Sequence, residues 1–125
     1  MELKTLEPNP AWAAGAYEET VDTLEAFDDL VYKVWGGDWC SDCRSQLPDF
    51  GAALDAAEVP AERIEHYEVD AEKNGPGVDE YGIEFIPTVV VEQNGEELCR
   101  FVESENVPIA VFVAEKAQAE LGMPE

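Results

Sequence analysis

The run Leu30-Val31-Tyr32-Lys33-Val34-Trp35 is closed by Gly36-Gly37 and followed, within three residues, by a long helical pattern. Six residues rich in β-branched and aromatic side chains, with a glycine pair behind them, read as a buried strand entering a tight turn. From Cys40 to Ala57 the period changes. Leu47, Phe50, Leu54 and Ala57 line one helical face, and Pro48 sits inside, where the missing N–H predicts a kink. One strand-turn-helix unit therefore stands at the centre of the chain.

The other elements arrange themselves around it. Tyr17, Val21, Leu24 and Phe27 recur at helical spacing and end near Asp28-Asp29. Residues 1–16, with Pro8, Pro10 and Gly15, read as an extended lead-in with room for a short edge strand, ahead of a single domain over residues 17–125. Arg63 to Asp70 reads as a second strand, followed by the loop Asn74-Gly75-Pro76-Gly77 and a short helix through Tyr81. Asn94-Gly95 between Thr88–Glu92 and Leu98–Val102 predicts a β-hairpin on a type I′ turn. Ile109, Phe112, Val113, Ala117 and Leu121 predict a last helix, capped by Ser104 or Asn106 and stopped at Gly122. Strands alternating with helices imply an α/β fold, a central sheet sandwiched by helices with the hairpin antiparallel at one side.

Composition excludes several function classes. Asp and Glu number 29 against 7 Lys and Arg, a net charge of −22, which repels nucleic-acid phosphates and anionic lipid. Leu, Ile, Val and Phe make up 30 of the 125 residues, enough to fold one domain despite that charge. The acids are scattered as singles and pairs, a solvated surface of the kind that salt must screen, so a salt-rich cytoplasm is expected. No apolar stretch is long enough to cross a membrane and the first residues lack a signal-peptide core, so the expectation is a cytoplasmic monomer.

Three cysteines in such a chain are too few for a disulfide framework and point to chemistry. Cys40 and Cys43, at i and i+3 where the helix begins, lie within the separation a disulfide tolerates. Helix amides and the positive end of the dipole favour a thiolate at Cys40, making it the attacking sulfur. Cys43 is left to resolve the mixed disulfide. Trp39 would shield the pair and offer a flat apolar contact. Asp42 should disfavour a thiolate and the Ser41 hydroxyl favour it; as a first-turn acid, Asp42 would also steady the helix. Cys99, mid-strand in the hairpin, reads as an inert structural thiol, and His66 as a structural histidine. A structural zinc needs four ligands. Cys99 and His66 sit on strands distant from the pair, so no metal is expected.

Trp39-Cys40-Ser41-Asp42-Cys43, Pro48 five residues on, Tyr81-Gly82-Ile83 with Ile86-Pro87-Thr88, and Asn94-Gly95 at the hairpin together resemble the thioredoxin family, over about Tyr17 to Leu121. The resemblance implies a thioredoxin-like three-layer α/β/α sandwich with a central mixed sheet. It also implies that Pro87 is a cis-proline packed against the Cys40–Cys43 disulfide, with its neighbour Ile86 and Trp39 contacting substrate. Where the family's preceding strand usually carries a buried Asp that helps the second thiol lose its proton, this chain has Val34. The expected function is a thiol-disulfide oxidoreductase with no cofactor beyond its redox-active disulfide. It would reduce disulfide-containing proteins and draw electrons from a reductase or small thiol. The alternative is a thioredoxin-fold adaptor or specificity module with little turnover.

Overall fold

Leu30, Tyr32 and Val34 point to one side of an extended chain and Val31, Lys33 and Trp35 to the other, so a strand here can bury two faces. A computed structural model, describing residues 3–72, 74–103, 105 and 107–121, places strand β1 at Leu30–Gly36 with Tyr32 and Trp35 both fully buried. Beside it lie β2 (Ile64–Glu68), parallel, and β3 (Thr88–Gln93), antiparallel. β4 (Glu96–Val102) returns antiparallel to β3, giving the order β2-β1-β3-β4. Asn94 and Gly95 both have positive φ, 54° and 85°, as the predicted type I′ turn requires. A register shift between Val91 and Glu92 puts a bulge in the hairpin, and β4, with Glu96 and Glu97 exposed, is one of the sheet's two outer strands, β2 the other.

The helices are α1 (Glu18–Ala26), α2 (Ser41–Ala56), α3 (Val78–Tyr81) and α4 (Ile109–Leu121). They complete the three-layer α/β/α sandwich, and the two outer layers are unequal. α1, α2 and α4 touch one another on the face where Tyr32 meets Phe50 of α2 and Phe101 meets Phe112 of α4, each edge to face. On the other face Trp35 stacks on Tyr67, meets Tyr81 of α3 and donates its indole N–H to the Pro76 carbonyl at 2.8 Å. Each large side chain buried this way contributes about 1.5 to 3 kcal/mol. That thin layer also shelters a charged cluster. Lys33 Nζ lies 3.5 Å from Glu92 and 3.6 Å from Glu65, and Tyr81 donates its hydroxyl to Glu92 at 2.8 Å.

The chain before α1 departs from the extended lead-in expected of residues 1–16. Lys4–Leu6 and Ala14–Tyr17 are 3-10 turns, and no edge strand forms there among the described residues. Leu3 and Leu6 are buried in the core, and tertiary contact with α2 shapes the segment rather than local pattern. β2 is shorter than the Arg63–Asp70 expected. Arg63 ends a 3-10 turn, where its guanidinium donates to the Leu30 carbonyl at 3.0 Å, and Asp70 turns the chain by accepting the amides of Glu72 and Asn74. The helix caps read at Ser104 or Asn106 and the stop at Gly122 lie outside the described residues.

Candidate active site

The strand-turn-helix unit brings the cysteines to one end of the sheet. β1 runs out at Gly36, Cys40 donates its amide to the Gly37 carbonyl at 3.0 Å, and α2 starts at Ser41 with Cys40 as its N-cap residue. Cys40 is half-buried, and Cys43, in the first turn, is fully buried. The Gly37 amide points at Cys43 Sγ, 3.5 Å away. Burial, the largest cause, pushes the Cys43 thiol up to about 12; the Gly37 amide works against this, while Cys40 and Asp42 add to it. Val34 is buried in β1 and offers no carboxylate to take the Cys43 proton.

Trp39 is 44 % exposed and its indole N–H donates to the Val69 carbonyl at 2.8 Å. The ring lies so close over Gly37 that a Cβ there would stand 2.4 Å from Nε1, which gives the glycine pair a second purpose besides turning. Ser41 and Asp42 are exposed on the first turn of α2. Ile86 and Pro87, both buried, join through a cis peptide bond just before β3. The last β1–β3 pair is Trp35 with Thr88, so Ile86 and Pro87 sit at the same end of the sheet as the cysteines. The Pro87 carbonyl accepts the Glu103 amide at 2.8 Å, and Gln46 of α2 donates to the Glu103 carbonyl at 2.7 Å, tying that end together.

Cys99 lies on β4 away from this end, half-buried, and burial pushes its thiol up to about 11. His66 is half-buried on β2, its Nδ1 accepting the Leu3 amide at 2.9 Å. Among the described residues no group of three or more His, Cys, Asp or Glu side chains is gathered to hold a metal. Two residues escaped the sequence reading. Phe85, 49 % exposed, stands just ahead of the cis bond. Asp38, beside Trp39, accepts the amides of Thr5 at 3.0 Å and Lys4 at 3.3 Å. Burial opposes ionisation at Asp38, but these amides together with the Thr5 and Lys4 side chains outweigh it and hold the carboxyl below its usual range. Nothing in the local pattern signals a partner more than thirty residues away.

The arrangement suits exchange with an external disulfide: one sulfur is reachable, and a second waits behind it within bonding reach. A family model described as Thioredoxin matches residues 11–115. Over 84 residues the chain is 27 % identical to a Schizosaccharomyces pombe protein described, provisionally, as a protein disulfide-isomerase; the match covers 67 % of this chain and 17 % of that protein's length. A thioredoxin from Fasciola hepatica superposes with a TM-score of 0.51 at 21 % identity, covering 86 % of this chain and 93 % of its own. A mutant thioredoxin from Halobacterium salinarum gives 0.51 at 18 % identity over 96 % of both chains. The thioredoxin from Nicotiana alata gives 0.54 at 15 %, covering 91 % and 95 %. At such identities the structural likeness is one of fold.

Proposed function

The chain belongs to the thioredoxin family, and on that footing we propose that it reduces protein disulfides through the Cys40–Cys43 couple. The Cys40 thiolate attacks one sulfur of the target disulfide, expels the other as a thiolate, and is left in a mixed disulfide. The Cys43 thiolate then attacks Cys40 Sγ, closes the Cys40–Cys43 bond and releases the second target thiolate, so two electrons pass from the dithiol to the target. A reductase or small thiol returns them, and no bound cofactor takes part. The observation that carries this reading is the asymmetry of the pair, a half-buried Cys40 in front of a buried Cys43. Trp39, Ile86 and Pro87 are assigned to substrate contact, and Ser41 and Asp42 to tuning of the thiols. The net charge of −22 supports a monomer working in a salt-rich cytoplasm.

The test is insulin reduction with a thiol donor in molar KCl. Cys40→Ser is expected to abolish turnover and Cys43→Ser to accumulate a mixed disulfide. Parent turnover no faster than the free thiol would reject the reading. It would favour instead an adaptor with little general turnover, the role that Val34 in place of a buried acid supports.

A further inference from the structure

Residues 3–6 lie ahead of the matched span 11–115, yet they form the back wall of the cysteine site. Leu3 Cδ1 comes within 3.3 Å, Leu47 Cδ1 within 3.0 Å and Cys43 Sγ within 3.4 Å of the point where a Cβ on Gly36 would stand. Leu3 and Leu47 thus converge with the second sulfur on the bare backbone of Gly36. Three residues, His66, Asp38 and Gly51, fasten the segment. His66 Nδ1 takes the Leu3 amide, the Asp38 carboxylate takes the amides of Lys4 and Thr5, and the Leu6 carbonyl lies against α2 at Gly51. A Cβ on Gly51 would come within 2.0 Å of that carbonyl oxygen, so the segment needs this glycine to lie down.

We propose that residues 3–6 are a positioning strap, clamped by Asp38, that keeps water from Cys43 and so sets how fast Cys43 resolves a mixed disulfide at Cys40. This rests on the disulfide-reductase reading above. In the resolving step Cys43 gives its proton to solvent, its sulfur bonds Cys40 Sγ, and the Cys40–target S–S bond breaks with the electron pair leaving on the target sulfur. Only the thiolate attacks, and with no buried acid in β1 the burial of Cys43 decides how often that thiolate forms. The titratable groups acting on Cys43 are Cys40 and Asp42, both of which favour retention of the proton. The strap adds the apolar cover on the opposite side. Asp38 acts by holding the strap through its bonds to the Lys4 and Thr5 amides.

The experiment measures iodoacetamide alkylation of Cys43 between pH 7 and 10 in a Cys40→Ser background, with peptide mapping to separate Cys43 from Cys99. Asp38→Ala removes both acceptors of the clamp. Gly51→Ala displaces Leu6 from a site remote from the cysteines while favouring α2, because alanine is the better helix former. Both variants are expected to alkylate Cys43 about ten-fold faster at pH 8, with the profile moved about one pH unit down. With Cys40 restored, both should shorten the lifetime of a mixed disulfide with glutathione. Val113→Ala, a cavity in α4, controls for general loosening. Parent rates in both variants overturn the proposal, as does a rise in Val113→Ala matching theirs at equal loss of stability. Alkylation does not depend on turnover. Faster alkylation in a protein that fails to reduce insulin would therefore reject the reductase reading and support the strap. An active protein with unchanged alkylation would reject the strap alone.

Discussion

The fully buried Cys43 thiol keeps its proton well into alkaline solution, and this has a cost for the fold. In the unfolded chain Cys43 ionises near its ordinary value of 9.0, whereas in the native reduced protein it holds the proton to about 12. Between these values the unfolded state binds fewer protons than the native one, so stability present below pH 9 is lost as pH rises toward 12. The oxidised protein has no thiol at Cys43 and escapes this loss. Cys99, Tyr32 and Tyr67, whose protons are also held by burial, titrate in both forms and cancel in the comparison. The melting temperature of the reduced protein should therefore fall relative to the oxidised one between pH 8 and 11. A constant gap across that range would contradict the burial of Cys43.

Among the elements, the thin layer over Trp35 depends on an ion cluster as well as on aromatic stacking. Lys33 of β1 lies between Glu65 of β2 and Glu92 of β3, with its Nζ 5.3 Å from the centre of the Tyr81 ring. Tyr81 is the largest cause holding the ammonium above its ordinary range, and the two carboxylates add to it against the pull of burial. Lys33→Met leaves Glu92, the better buried of the two acids, without its cation. The expected loss is about 2 kcal/mol, and Lys33→Met with Glu92→Gln should recover part of it. An unchanged melting temperature in the single variant would show the cluster to be solvated. These elements differ in how far local pattern reveals them. The strand before Gly36, the C-x-x-C turn, the Asn94-Gly95 hairpin and the apolar stripe of α4 follow from spacing, because each is decided within a few residues. The 3-10 turn at Lys4–Leu6, the Asp38 clamp and the gathering of α1 with α2 and α4 on one face do not. Their partners are remote in sequence, and Leu3 and Leu6 carry no period that distinguishes a buried strap from a loose end. Likewise Gly37 is legible as a turn, but not as the amide aimed at Cys43 or the floor under Trp39.

For the molecule as a whole, a charge of −22 on 125 residues means that repulsion between like charges outweighs attraction across the surface. The charges are dispersed, so the repulsion acts on the compact state and is reduced as the screening length shrinks with salt. Raising KCl from 0.1 to 2 M is expected to lift the melting temperature by at least about 4 °C, roughly 1 kcal/mol for a domain of this size, with NaCl equivalent at equal ionic strength. Indifference to salt would mean that surface repulsion is negligible in the native protein. The same charge guards the hairpin. β4 ends the sheet on one side, and an outer strand offers a row of N–H and C=O groups to any second strand that can approach. Exposed Glu96 and the register shift between Val91 and Glu92 are features that oppose such pairing. Near the isoelectric point of about 4.1 the net charge that holds molecules apart vanishes. Acid precipitation of this protein should then start as a seam, β4 against β4, between molecules that are still folded.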